Sequence, residues 1–151
     1  METPITNKEF DNWQTEGASV FLKNEIVLVP ELKDRKGAIW NKLHTAKTDE
    51  WLIEMRVKIG NEMRTAKGGA GLGIHYLQDI NQSMIGTGLF GYSTQFNGLS
   101  VYLNSILSTY DESSYVNYVQ ALTNDGTKQI NAMKLKGPDT KNCKAVFRNI
   151  Y

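Results

Sequence analysis

Trp51-Leu52-Ile53-Glu54-Met55-Arg56-Val57-Lys58-Ile59 sets Trp51, Ile53, Met55, Val57 and Ile59 in alternation with Leu52, Glu54, Arg56 and Lys58. A period of two places the first set on a buried face and the second on a wetter one, which predicts a strand with Trp51 in the core. Further strand-like runs lie on both sides, at residues 18–22, 26–29, 71–77, 99–106 and 115–122, the last rich in the Tyr and Val that suit a pleated surface. Thr123-Asn124-Asp125-Gly126 separates residues 115–122 from 129–133, and Asp-Gly accepts the positive φ angles of a tight turn, so these two runs are expected to form a hairpin. No sustained helical stripe interrupts the series; residues 41–51 carry Leu43, Ala46 and Trp51 but are broken by Thr45, Thr48 and Asp49, and read as a loop. Many short strands joined by Gly, Asn and Ser turns predict an all-β chain, an antiparallel sandwich or jelly roll.

The 151 residues fit one average domain, and 40% apolar with 22% charged residues is ordinary globular composition. Seventeen Lys and Arg against sixteen Asp and Glu leave a charge of +1, too little to supply the electrostatic attraction that nucleic acid or anionic membrane binding needs. No run reaches the length of about 18 apolar residues that a bilayer span requires, and Met-Glu-Thr-Pro-Ile-Thr-Asn-Lys at the N-terminus lacks the basic-then-apolar layout of a secretion leader. A secretory location therefore implies a leader and an anchor outside this sequence. One cysteine, Cys143, excludes an internal disulfide and a four-thiolate zinc site.

Catalytic motifs are absent. Gly86-Thr87-Gly88-Leu89-Phe90-Gly91 fits G-x-G-x-x-G, but no helix follows to receive a pyrophosphate, and Gly68–Gly71 lacks the Gly-Lys-Ser/Thr ending of a phosphate loop. His44 and His75 are too few for a histidine metal site. Asp49-Glu50 and Asp111-Glu112 sit in polar stretches where solvated charge is the ordinary reading, and no nucleophile elbow or paired-acid strand signature occurs. Among the aromatics, Phe96 beside Asn97-Gly98 is the candidate exposed platform for a sugar ring. Asn81-Gln82-Ser83 matches the N-glycosylation sequon in a polar stretch.

Several pieces, taken in order, resemble one family. Asn12-Trp13 with Glu16-Gly17-Ala18, Ile26-Val27-Leu28-Val29-Pro30, Lys36-Gly37-Ala38-Ile39-Trp40, Gly69-Ala70-Gly71-Leu72-Gly73-Ile74-His75-Tyr76, Phe90-Gly91 through Phe96-Asn97-Gly98, and Asn142-Cys143 through Phe147-Arg148-Asn149 are similar in content and spacing to the L-type, legume-like lectin domain of the ER–Golgi cargo receptors of the ERGIC-53 and VIP36 type. The resemblance covers the length of the chain. It implies a concanavalin A-like jelly roll in the ER–Golgi lumen that binds high-mannose glycans on glycoprotein cargo, with calcium shaping the sugar loop. It further implies that residues 1–151 are the N-terminal portion of one longer domain, with the disulfide partner of Cys143 beyond Tyr151.

Carried over position by position, the family's sugar-binding places fall on Ala38, Gly69, Ala70, Phe96, Asn97, Asn104 and Ser108, and its calcium stretch on Asn104, Ile106 and Ser108. Ala70 stands where the family keeps a sugar-binding Asp, Ala38 replaces a serine, Asn104 replaces a carboxylate, Ser108 replaces the Asn shared by metal and sugar, and residues 126–133 offer no counterpart of a family histidine. Calcium prefers several hard oxygen ligands including carboxylates, so no calcium cofactor is expected. The expected function is a non-enzymatic lectin-like domain with a degenerate site, acting in glycoprotein transport through cargo or other protein partners. A calcium-independent carbohydrate-binding module using Asn97, Asn104, Ser108 and Phe96 is the alternative, and a jelly-roll glycan hydrolase a remote one. Neither oligomeric state nor cargo identity is written in these residues.

Overall fold

The computed structural model describes residues 4–32, 34–42, 50–59, 71–85, 88, 90–104, 117–130 and 143–145. Their regular elements are mostly strands, all paired antiparallel, and they belong to two compact units, Met1–Ala46 with Asn81–Ser93, and Lys47–Ile80 with Thr94–Tyr151.

In the first unit a six-residue helix α1 (Asn7–Asn12) leads into β1 (Trp13–Gly17), followed by β2 (Val20–Phe21), β3 (Ile26–Val27) and β4 (Gly37–Asn41). β1 pairs with β4 from Trp13↔Asn41 to Gly17↔Gly37, and β2 pairs with β3. Ile5 N–H donates to the Lys23 carbonyl at 2.7 Å, and Phe10 sets its edge against Phe21 with centroids 4.9 Å apart. The helix is not foreseen from the sequence, because a run under two turns is too short to show a 3.6-residue period. Gly37 is required where it stands, since a side chain there would run into the Leu28 carbonyl.

The second unit holds one four-stranded sheet in the order β5 (Gly71–Leu77), β6 (Asn97–Asn104), β7 (Asn117–Asp125), β8 (Cys143–Ala145). Its register runs from Gly71↔Asn104 to Leu77↔Gly98 across β5 and β6, from Asn97↔Asp125 to Asn104↔Tyr118 across β6 and β7, and through Val119↔Cys143 into β8. Alternation along β6 sends Leu99, Val101 and Leu103 to one face and Ser100, Tyr102 and Asn104 to the other. It is the second, more polar face that is buried, while the apolar one is only half-buried. Among the described residues, Leu77, Phe96, Tyr102 and Tyr118 are this unit's buried large hydrophobic side chains.

The strand expected at residues 51–59 does not form: residues 51–58 join no ladder, and Trp51 is 46% exposed with its ring stacked on Tyr76 at 4.7 Å rather than sunk in a core. Alternation fixes which side chains share a face, but a strand also needs a neighbour to take its N–H and C=O groups, and within this run only Ile59 makes a bridge. The expected hairpin also changes. β7 continues through Asn124 and Asp125, which pair with Gly98 and Asn97, and the chain then turns at Gly126 (φ 82°). Asp125 closes that turn by accepting from the Thr127 N–H at 3.0 Å and hydroxyl at 2.6 Å. Residues 129 and 130 are not strand, and Ile130 N–H donates to the Thr94 carbonyl; residues 131–133 lie outside the described residues. No helix among the described residues is long and apolar enough to cross a membrane.

Candidate functional site

Polar side chains gather on the buried face of the four-stranded sheet. His75 on β5 and Ser100 on β6 are directly opposed, and His75 Nδ1 lies 2.8 Å from Ser100 Oγ. The imidazole sits edge-on to Tyr102 (5.7 Å between centroids, 76°) and to Phe96 (6.5 Å, 69°). Tyr102 faces Gln120 across β6 and β7; burial pushes its hydroxyl above the ordinary tyrosine range, and a hydrogen bond with Ser100 opposes that rise in part. Gln120 is buried too. Such a cluster can orient hydroxyl and amide groups.

The positions singled out from the sequence are distributed over this frame. Asn104 ends β6, 3% exposed, opposite Gly71 on one side and Tyr118 on the other. Asn97 begins the same strand, opposite Asp125, and donates from Nδ2 to Gln78 Oε1 at 2.8 Å. Seven residues at about 3.3 Å each separate the two asparagines by roughly 23 Å, so they stand at opposite ends of one strand. Phe96 adjoins Asn97 and is 3% exposed, which corrects its reading as an exposed platform: its ring is turned onto His75 inside the unit. Ala38 lies in the first unit, on β4 opposite Glu16. Gly69, Ala70, Ile106 and Ser108 fall outside the described residues. In the sequence Ala70 precedes Gly71 and Ser105 follows Asn104, and Gly71 and Asn104 are paired at one end of the β5–β6 ladder.

That end is the place to weigh calcium. No Asp or Glu stands at the paired positions Gly71, Asn104 and Tyr118. No group of three or more His, Cys, Asp or Glu among the described residues could hold a metal ion. Calcium prefers carboxylate oxygens, which these paired positions do not supply.

Sequence reasoning passed over the His75–Ser100–Tyr102 cluster. Its signal was the alternation of Ser100, Tyr102 and Asn104 against Leu99, Val101 and Leu103, which assigns faces but ordinarily sends the polar one to solvent.

Comparison with known proteins joins these observations. The VIP36-like protein of Homo sapiens is 26% identical over 141 residues, covering 92% of this chain and 39% of its own length. The vesicular integral-membrane protein VIP36 of Canis lupus familiaris is 22% identical over 138 residues, covering 91% and 38% respectively. The chain therefore spans well under half of these relatives. The crystal structure of the VIP36 exoplasmic/lumenal domain in its Ca2+/Man3GlcNAc-bound form superposes with a TM-score of 0.72 at 18% identity, over 99% of this chain and 59% of that one. The fold is accordingly the legume lectin-like β-sandwich, of the concanavalin A-like jelly-roll type that the sequence resemblance implied. The profile of the legume-like lectin family matches residues 2–150, and the chain belongs to that family.

Proposed function

We propose that residues 1–151 act as one non-enzymatic lectin-like domain of a cargo receptor in the ER–Golgi lumen, in which the calcium and mannose site has decayed and protein contacts carry the work. The observation that supports this most is the composition of one strand end: a buried carboxamide at Asn104 faces a glycine, Gly71, and the sequence continues from them into Ala70 and into Ser105-Ile106-Leu107-Ser108 without an acid. A sugar site works by fixed acceptors for hydroxyl groups, and each one missing costs about 1–3 kcal/mol. Glycoprotein cargo or other proteins are then bound through the scaffold, and high-mannose glycan through this end only weakly.

Glycan-array binding with and without a calcium chelator tests the reading. The expected result is no mannose-selective signal in either condition and no calcium heat in calorimetry. A mannose-selective signal lost on Asn104→Ala would overturn it and favour the calcium-independent carbohydrate-binding module.

A further inference from the structure

Asn81-Gln82-Ser83 is the sole Asn-x-Ser/Thr triplet in the sequence, and the function proposed above makes no use of it. All three residues are exposed, at the start of a single 3-10 turn over Gln82–Met84 with Asn81 as its N-cap. The backbone N–H of Asn81 donates to the hydroxyl of the buried Tyr92 at 3.1 Å, which fixes the main chain of the turn to the first unit. Its side chain faces the other way in chemical terms. Oδ1 accepts from the Ser83 N–H at 3.1 Å and from the Ser83 hydroxyl at 2.8 Å, and among the described residues Nδ2 makes no hydrogen bond. Two donors on the carbonyl oxygen draw electron density toward it and make the Nδ2 protons easier to lose, while the nitrogen itself is open to solvent.

We propose that Asn81 carries an N-linked glycan, a reading that rests on the lumenal location given under the proposed function. In the transfer, Nδ2 forms a bond to the anomeric carbon of an oligosaccharyl pyrophosphate donor. The bond from that carbon to the pyrophosphate oxygen breaks with its electron pair leaving on oxygen, and Nδ2 gives up one proton to a base of the transferase. The residue thus becomes a glycan-bearing position in a domain whose family binds glycans.

The test is the full-length natural protein, with the leader expected outside these residues, made in a eukaryotic cell and read by the mass of the peptide that contains Asn81 before and after an N-glycan amidase, with protease protection in isolated microsomes as a separate report of compartment. The expected result is a protected chain carrying one oligosaccharide on that peptide, lost in Asn81→Gln and in Ser83→Ala and retained in Ser83→Thr. A protected chain with that peptide at its unmodified mass overturns the site and leaves the lumenal reading standing; an unprotected chain overturns both. Persistence of the glycan in Asn81→Gln also overturns the site.

Discussion

His75 Nδ1 and Ser100 Oγ meet at 2.8 Å across directly opposed positions of β5 and β6, and Ser100 is fully buried. The bond ties the two strands together through their side chains as well as through the ladder. Ser100→Ala removes the oxygen and leaves the imidazole nitrogen facing a methyl group, so unfolding in urea should show a loss of about 1–3 kcal/mol.

Tyr102 supplies a pH signature. Burial holds its hydroxyl pKa above 10.0, so the folded state keeps the proton more tightly than the unfolded chain does. The stabilisation this gives is complete below pH 10 and is lost as pH rises through the folded value. Ultraviolet titration of tyrosinate should show a late, cooperative component coincident with alkaline unfolding, and Tyr102→Phe should remove it.

Asp125 titrates in the opposite sense. The Thr127 hydroxyl and then the Thr127 N–H hold its exposed carboxyl below 3.8, so its contribution is present above that pH and fades as pH falls through the folded value. In Thr127→Val the Asp125 carboxyl should move back toward 3.8, as followed by NMR.

Gly98 and Gly126 are both at positive φ, 138° and 82°, but only Gly98 is also crowded, since a side chain there would strike the Tyr76 carbonyl; the nearest atom to Gly126 is Asn97 Cβ at 3.5 Å. Gly98→Ala should cost about 1–3 kcal/mol, and more than Gly126→Ala, in thermal denaturation.

Phe96→Ala should destabilise the protein by about 3–5 kcal/mol, as removal of a packed aromatic does, and its urea midpoint should fall accordingly. A midpoint within error of the parent would mean that the ring is free at the surface.

The strands β5 and β6 were legible because Gly71–Leu77 and the run from Leu99 carry alternation and turn residues that agree with each other. The family was legible because short pieces of turn and strand chemistry recur in a fixed order. Residues 51–58 were misread for a definite reason: alternation describes one chain, and a ladder requires two. Burial of the Ser100–Tyr102–Asn104 face escaped for a related one, since period two separates the faces of a sheet without saying which is covered. Phe96 illustrates the same limit at a single position, where neighbouring Asn97 and Gly98 suggested a surface loop and the fold turned the ring inward onto His75.

The wetting of the four-stranded sheet, with hydroxyl and amide groups hidden and Leu99, Val101 and Leu103 half-bare, has a calorimetric consequence. Exposing hydrocarbon raises the heat capacity of a protein and exposing polar groups lowers it. Exposure of Ser100, Asn104 and Gln120 on melting offsets part of the rise from Leu77, Phe96, Tyr102 and Tyr118, so the increment for this sheet should lie below that of a sheet with a wholly apolar buried face. Its stability then varies gently with temperature, with a broad plateau in place of a sharp summit.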